Sequence, residues 1–424
     1  MPRVGSGVCP LDEELELLPG DLSATLAEGV VRLGTKLPFA RAAEEVAFFW
    51  GVALDASTVR RHTEAAGAAY VAEQAADLGR LEQERPPAPA GPAVQYLSAH
   101  GAMVPLVGGE WAEVKTLAIG EVQVRRGAEG LPEAHTTNLT YFSRLADAET
   151  FTRQAYVEAH RRGTETAAVV CAVQDGADWE QGLVDVLRPD AVRILDFPHA
   201  IEHLTAAAQP VFGSATPVLS AWVDQQAHTL KHAADGAHQV LAAVAKLPIH
   251  LAADPPAAAE GRERTLSYFT KRRPQLHYAA FQAAGYPIGS GSTESANKLV
   301  VEARLKGSGM HWARAHVNPL AALRTVTCAQ RWAEAWPRIS ARLRTEAEQR
   351  RHVRWQARQP TPSPTSVPVG PSPPTHIAVA QPTTGTAPPA PRGTSVVNGR
   401  PTALHPWTRY ACLPNGRRQA RFPG

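Results

Sequence analysis

The stretch from residue 93 to about 204 constrains the fold most, because strand-like runs and a helical stretch follow one another there. The runs AVQYLSA, EVKTLAIGEVQV, TAAVVCAVQ and AVRILDF are rich in apolar and β-branched residues, and FTRQAYVEAHRRG between two of them has a helical pattern. Strands that alternate with helices indicate an α/β domain. We therefore predict one mixed sheet with strands near 94–106, 113–124, 167–174 and 191–196.

Helical sequence flanks this α/β stretch on both sides. Residues 1–85 predict a helical domain, and the segment PPAPAGP at 86–92 predicts a linker. The first part of the α/β domain covers 93–204, a helical insertion is expected at 205–281, and the domain's second part at 282–348. Residues 349–424 are rich in proline and poor in apolar residues, so we expect a disordered tail.

Composition excludes several classes of protein. The chain has 424 residues and 44% hydrophobic residues, and no apolar run approaches the roughly 20 residues that cross a bilayer. We therefore expect cytoplasmic residence and no membrane partner. The four cysteines are far apart and form no CxxC pair, which argues against a disulfide framework or a zinc knuckle. The net charge of +3 is nearly neutral, but arginines concentrate between Arg338 and Arg358, a local signal for nucleic acid.

A helix-turn-helix is predicted in the N-terminal region. PFARAAEEVAFFWG and VALDASTVRRHTEAAG read as two helices around a glycine-containing turn, with Asp55 or Ser57 as the N-cap of the second. Arg60 and Arg61 lie near the start of that second helix, where a DNA-reading helix contacts bases and phosphates of double-stranded DNA. The alternative is a plain helical hairpin with solvated arginines.

Polar residues follow three of the predicted strands. The run YLSAHGAMVPL stops at His100-Gly101, Asp175 follows AVVCAVQ, and Asp196 ends the run AVRILD. A carboxylate at such a strand end can hold a hard divalent cation. His199, Glu202 and His203 match an inverted zinc-protease motif, so a zinc hydrolase is an alternative.

The block YPIGSGSTESANKLVVEARLKGSGMHW, residues 286–312, combines glycine turns with a capped helix. Ser292 can cap this helix and Glu294 then lies in its first turn, while the absence of a GK[ST] ending excludes a phosphate-binding P-loop. Arg304, Lys306 and Trp312 form a basic group with an aromatic side chain, which favours DNA contact. The alternative is an amphipathic helix with Trp312 in the core.

Six blocks of sequence resemble bacterial insertion-sequence transposases of the ISKra group, which are related to Mutator-like transposases. The blocks are PLDEELELLPGDLS, STVRRHTEAAG, GAMVPLVGGEWAEVKTLAIGEV, DGADW, LDFPHAIEHL and IGSGSTESANKLVVEARLKGSGMHW. The resemblance covers roughly residues 10–336. It implies an RNase H-like DDE domain, metal-dependent cleavage and transfer of DNA strands, Mg²⁺ as cofactor with Mn²⁺ as an alternative, and a homodimer acting on double-stranded DNA.

The resemblance also assigns catalytic positions. The first Asp of the family falls on His100, the second on Asp175 with Asp196 as a rival, and the final Glu on Glu294. Asp196 and His199 belong to a signature, and Asp175 and Glu294 are the metal ligands that the resemblance implies. Because imidazole brings no negative charge and suits Mg²⁺ poorly, we expect impaired catalysis. The alternative is a DNA-binding protein without catalysis that derives from a transposase.

Overall fold

A computed structural model of the chain describes residues 22–126 and 132–357, together with four short strands further on. Those four strands form two hairpins, Val396–Val397 with Arg400–Pro401 and Tyr410–Cys412 with Arg418–Ala420. The predicted disordered tail therefore falls largely outside the described residues. Among the described helices, none combines the length and the apolar character needed to cross a bilayer.

Five strands form one mixed sheet. They are β1 (Val94–Pro105), β2 (Trp111–Arg126), β3 (Pro132–Arg144), β4 (Val169–Gln174) and β5 (Val192–Leu195), in the order β3-β2-β1-β4-β5. β1, β2 and β3 are antiparallel, whereas β4 and β5 run parallel to β1. The four predicted strands are thus confirmed in one mixed sheet, and β3 is an edge strand that was not predicted.

The three helices before the sheet are α1 (Ala24–Lys36), α2 (Phe39–Trp50) and α3 (Ala56–Glu84). Their apolar side chains pack with those of two late helices, α13 (Arg314–Cys328) and α14 (Trp332–Gln356), in one core cluster. Gly67 of α3 lies so close to α13 that an added Cβ would stand 2.2 Å from the carbonyl oxygen of Pro319. The N-terminal helices therefore have no separate core, and α14 extends past the boundary predicted at residue 348.

Helices cover both faces of the sheet, because successive strand residues point to opposite faces. Leu97 packs on α4 (Ala148–Arg161) and α5 (Asp178–Leu187), while Tyr96 packs on the other face. The helices on that second face are α6 (Phe197–Phe212), α7 (Pro217–His232), α8 (Gly236–Ala245), α9 (Pro255–Lys271) and α10 (Tyr278–Ala283), with single 3₁₀ turns at Ile249–Leu251 and Arg273–Gln275. Residues 205–281 are helical as predicted, but they share their core with the sheet.

The late block forms a continuous helical segment of three parts. These are α11 (Gly291–Ala296), a π-helical stretch at Asn297–Glu302, and α12 (Ala303–Leu305). Val300 and Val301 of this segment are fully buried in the core that covers the second face of the sheet. π-Helical turns occur frequently at functional sites, so this segment directs attention to the polar residues around it.

Candidate metal site

The parallel strands bring three polar residues into one row. The register of β1 against β4, carried three residues past the pair Leu97–Ala172, sets His100 beside Asp175. The register of β4 against β5, carried one residue past its last pair, sets Asp175 beside Asp196. Residues in one row of a sheet point to the same face. The sheet therefore presents all three on the face that carries α6 and α9.

β1 is not interrupted at His100-Gly101 and runs on as one strand, in agreement with the predicted range 94–106. It continues to Pro105, paired there with β2, while β4 ends at Gln174. His100 thus lies on the part of β1 that extends past its parallel neighbour, and its side chain stays 39% exposed. That partial exposure leaves the imidazole accessible from the cavity at this end of the sheet.

His100, Asp175 and Glu180 form a cluster that could hold a metal ion. The Nδ1 atom of His100 lies 3.1 Å from Oδ2 of Asp175. One ligand atom from each of the three residues lies within 4.8 Å of the other two. Within residues 22–126 and 132–357, this is the only group of three or more His, Cys, Asp or Glu side chains with such geometry.

The two carboxyl groups of the cluster carry different charges. Burial, reinforced by the negative charge of Asp175, raises the pKa of Glu180 to about 10. Burial also opposes ionisation of Asp175, but hydrogen bonds with His100, Glu180 and the backbone N–H of Ala177 together hold its pKa well below the usual range. Without a metal ion, Asp175 is therefore ionised and Glu180 protonated near neutral pH.

The loop that carries Asp175 is held by helix α9. The Tyr268 hydroxyl donates to the carbonyl of Asp175, and Arg272 donates to the carbonyl of Gly176 while its guanidinium stacks over the Tyr268 ring at 4.1 Å. Gly176 has φ +88°, and an added Cβ would lie 2.5 Å from Nε of Arg272. Only glycine fits this close approach, which explains the Asp-Gly sequence and makes Tyr268 and Arg272 positioning residues.

Both carboxylate oxygens of Asp196 accept hydrogen bonds from backbone N–H groups. Its Oδ2 accepts a hydrogen bond from the N–H of His199 at 3.0 Å and thereby caps α6, and its Oδ1 accepts from the N–H of Ser290. The residue is 2% exposed. Asp196 therefore ties the start of α6 to the loop that precedes the late helices.

A cavity of about 350 Å³ opens above the row of strand ends. Four carboxyl side chains and one lysine are among its lining residues, which are His100, Gly101, Ala102, Asp175, Asp196, His199, Glu202, Ser290, Asn297, Lys298 and Glu302. An excess of carboxylates in one cavity favours a cation there. Asn297 is 4% exposed, and neither its amide nitrogen nor its amide oxygen forms a hydrogen bond.

The late helices supply one wall of this cavity, through residues that follow Glu294 by a few positions. Glu294 lies in α11, one turn before Asn297. Its side chain falls outside the described part of the structure, so the expected approach of Glu294 to Asp175 stays a prediction.

The zinc-protease motif does not assemble into a metal site among the described residues. His199 pairs with Glu202 at 3.3 Å, whereas the ring of His203 stacks on Tyr268 with centroids 4.0 Å apart. Burial lowers the pKa of His203 to about 4, so this imidazole is neutral and works as a packing group. The zinc-hydrolase alternative loses its support.

Two of the residues expected to contact DNA are interior, which corrects the prediction for them. Arg304 is 1% exposed, donates to the carbonyl of Gly34 and stacks over Phe39. Trp312 is 7% exposed, and its indole N–H donates to the carbonyl of Leu305. Both side chains therefore pack inside the protein, where Arg304 contacts the N-terminal helices through Gly34 and Phe39. Lys306 does lie at the surface, where it pairs with Glu302 at 2.7 Å.

Arg60 and Arg61 are exposed in the first turns of α3. Asp55 is the N-cap of this helix and accepts the N–H of Thr58 at 2.8 Å, and Gly51 ends α2 in the left-handed conformation. The predicted helix-turn-helix elements are therefore present in sequence order.

Arg338 and Arg342 of α14, by contrast, pair with carboxylates of α3. These ion pairs account for part of the basic signal near the end of the helical region.

Comparison with known proteins adds no assignment: no protein-family model matches the chain, and no curated protein resembles it significantly. The family resemblance therefore rests on the sequence blocks alone. Glu180 was missed from the sequence, because DWEQGLVDVL reads as an ordinary helix start with solvated acids. The one available signal was its place in the first turn after Asp175-Gly176, directly behind a strand end.

Proposed function

We propose that the chain derives from a DNA transposase of the DDE type with an RNase H-like domain, and that strand cleavage is impaired by His100. One observation carries this proposal. His100 on β1, Asp175 directly after β4, and late helical residues that follow Glu294 line a single acidic cavity. Cleavage and transfer of DNA strands need acidic ligands from separate elements that meet at one point, which is what the resemblance requires of these segments.

The magnesium ions implied by the resemblance do not fit the side chains as they stand. Mg²⁺ demands near-octahedral oxygen ligands. The cluster offers one imidazole nitrogen, one ionised carboxylate and, in Glu180, a carboxyl that keeps its proton. The position that the family fills with its first Asp supplies no negative charge. This set of ligands supports impaired Mg²⁺ chemistry.

Double-stranded DNA is the partner we propose for the N-terminal helices. Arg60 and Arg61 are exposed at the start of α3, where phosphate contacts would form. A DNA-binding protein without catalysis remains the second candidate, because the exposed arginines persist while the magnesium ligands are incomplete. The homodimer implied by the resemblance stays a prediction.

Replacement of His100 by aspartate tests the catalytic half of the proposal. Changes to residues that only hydrogen-bond to the ligands of a metal already cost about 10–100-fold, so His100→Asp, which restores a ligand, should raise Mg²⁺-dependent cleavage by at least about 10-fold. The substrate is a labelled duplex that carries the DNA flanking the gene, and cleavage is followed on a denaturing gel. His100→Asn is the matched control, because it has the size of aspartate without the charge. Strong Mg²⁺ cleavage by the unchanged chain, or equal activity of the two variants, would contradict impairment by His100.

The DNA-binding half is tested with the full chain, because the N-terminal helices share their core with α13 and α14. Each phosphate contact contributes about 0.9 to the slope of log K against log salt. Arg60→Ala with Arg61→Ala should therefore flatten that slope by roughly 2 in fluorescence anisotropy with duplex DNA. Arg80→Ala is the control, since Arg80 is an exposed arginine on the same helix, far from its start. An unchanged slope would favour the plain helical hairpin.

A further inference from the structure

We propose that His100, Asp175 and Glu180 bind a single divalent transition-metal ion, of the class of Zn²⁺ and Co²⁺, in preference to Mg²⁺. The role of this site rests on the proposed function. The inference adds which ion this chain binds at the site. Ion binding is measurable without DNA, so the two can be tested separately.

The spacing of the three side chains suits one small ion. Ligand atoms about 2.0–2.2 Å from a tetrahedral ion are about 3.4 Å from each other. Nδ1 of His100 and Oδ2 of Asp175 are already 3.1 Å apart. The three ligand atoms lie within 4.8 Å of one another, so closure around an ion needs a shift of only about 1 Å or slightly more from Glu180.

The chemical types of the ligands select the ion. Imidazole nitrogen suits zinc, copper, iron and nickel, whereas Mg²⁺ and Ca²⁺ take oxygen ligands. Two carboxylates with one neutral imidazole balance a divalent charge.

A buried polar group outside the ligand set points independently to a missing ligand. Asn297, on the late helical segment, is 4% exposed and lines the same cavity as His100 and Asp175 with both amide atoms unpaired. Buried polar groups normally find partners. A water bound to the ion would give the Asn297 amide a partner.

The backbone around the site is already fixed in the absence of an ion. Tyr268 and Arg272 hold the carbonyls of Asp175 and Gly176, and β1 continues on both sides of His100. Ligands carried by rigid elements bind an ion with little ordering cost. The site is therefore preorganised apart from the side chain of Glu180.

Cobalt is the probe, because its visible absorption reports ligand type and geometry directly. The full chain, freed of metal with EDTA, is titrated with Co²⁺, and Zn²⁺ or a large excess of Mg²⁺ is then added. We expect one Co²⁺ per chain, displacement by Zn²⁺ and no displacement by Mg²⁺. Glu180→Gln should weaken Co²⁺ binding at least about 10-fold, and His100→Ala should abolish the visible bands.

Glu202→Gln is the matched control for Glu180→Gln, because Glu202 is a carboxylate on the same cavity that pairs with His199. It should bind Co²⁺ as the unchanged chain does. Far-UV circular dichroism checks that each variant folds. His100→Ala keeps the test valid if Glu180→Gln unfolds, since His100 is partly exposed.

Three results would overturn the inference: no Co²⁺ binding, binding that both ligand variants leave unchanged, or displacement by Mg²⁺ as readily as by Zn²⁺. These failures are distinct from failure of the proposed function. If the chain binds Co²⁺ at His100 but neither binds nor cleaves DNA, the metal site is supported and the transposase proposal fails. If His100→Asp cleaves DNA in Mg²⁺ but the unchanged chain binds no Co²⁺, the transposase proposal is supported and the metal site fails.

Discussion

Two aspartates at neighbouring strand ends, Asp175 after β4 and Asp196 after β5, look equivalent in sequence and differ in their hydrogen bonds. Both oxygens of Asp196 accept backbone N–H groups, from His199 and Ser290. Asp175 gives one oxygen to the N–H of Ala177 and turns the other towards His100. The comparison teaches that the position of an aspartate at a sheet edge does not decide whether it is structural or free to bind a ligand. The hydrogen-bond partners of its two carboxylate oxygens decide this.

Identical Asp→Asn substitutions test this difference most strongly. In Asp196→Asn an amide N–H₂ replaces one acceptor and faces a backbone N–H that is buried with it, so we expect a loss of about 2 kcal/mol in the free energy of unfolding. In Asp175→Asn the remaining oxygen can still accept from Ala177, and the loss should stay below about 1 kcal/mol. Urea unfolding of both variants measures this, and equal losses would erase the proposed distinction.

The pH dependence of stability gives a second test, on the side of Asp175. Burial raises the pKa of Glu180 from its ordinary value of 4.5 to about 10 in the folded chain. The free energy of unfolding is therefore highest below pH 4.5 and falls as the pH rises from about 4.5 towards 10. Glu180→Gln lacks this loss, so in EDTA it should be the more stable protein at pH 8, by a margin that grows by up to about 1.4 kcal/mol for each pH unit above about 4.5.

Thermal or urea unfolding at pH 5 and pH 8 provides the measurement, with Glu202→Gln as the exposed counterpart. The two proteins should differ little at pH 5 and diverge at pH 8. If Glu180→Gln shows the same pH dependence as the unchanged chain, Glu180 is ionised in the fold, and the assignment of a proton to Glu180 at neutral pH is wrong.

Much of the sheet could be predicted from the sequence, because β1, β2, β4 and β5 are apolar runs with clear boundaries. β3 was missed since its sequence PEAHTTNLTYFSR is polar at one end and contacts a neighbour on only one side. The predicted strand 94–106 already included the part of β1 past His100, although Gly101 looks like an interruption in the sequence. Its true neighbour is the side chain of Glu113, which an added Cβ would meet at 2.0 Å.

Only part of the site could be predicted from the sequence, because some of its residues meet through contacts between segments that are far apart along the chain. His100 and Asp175 follow from strand register once a parallel sheet is assumed. Glu180 and the roles of Tyr268 and Arg272 depend on packing between α5, α9 and a loop, which no local pattern encodes. Arg304 was assigned to the surface because arginine is rarely buried, yet here the aromatic rings of Phe39 and Trp312 and a backbone carbonyl accommodate it.

The core shared by the first and last helices has a consequence for how the chain is made. Val46 and Ala66 pack in one cluster with Leu323, Trp336 and Ile339, so the N-terminal helices are synthesised long before their partners. Contacts between residues so far apart in sequence form slowly, and their apolar surfaces stay exposed until then. The helix that carries Arg60 and Arg61 therefore reaches its final packing only when nearly the whole described chain has left the ribosome. A nascent chain therefore cannot complete the packing of α3 before the sheet has been synthesised.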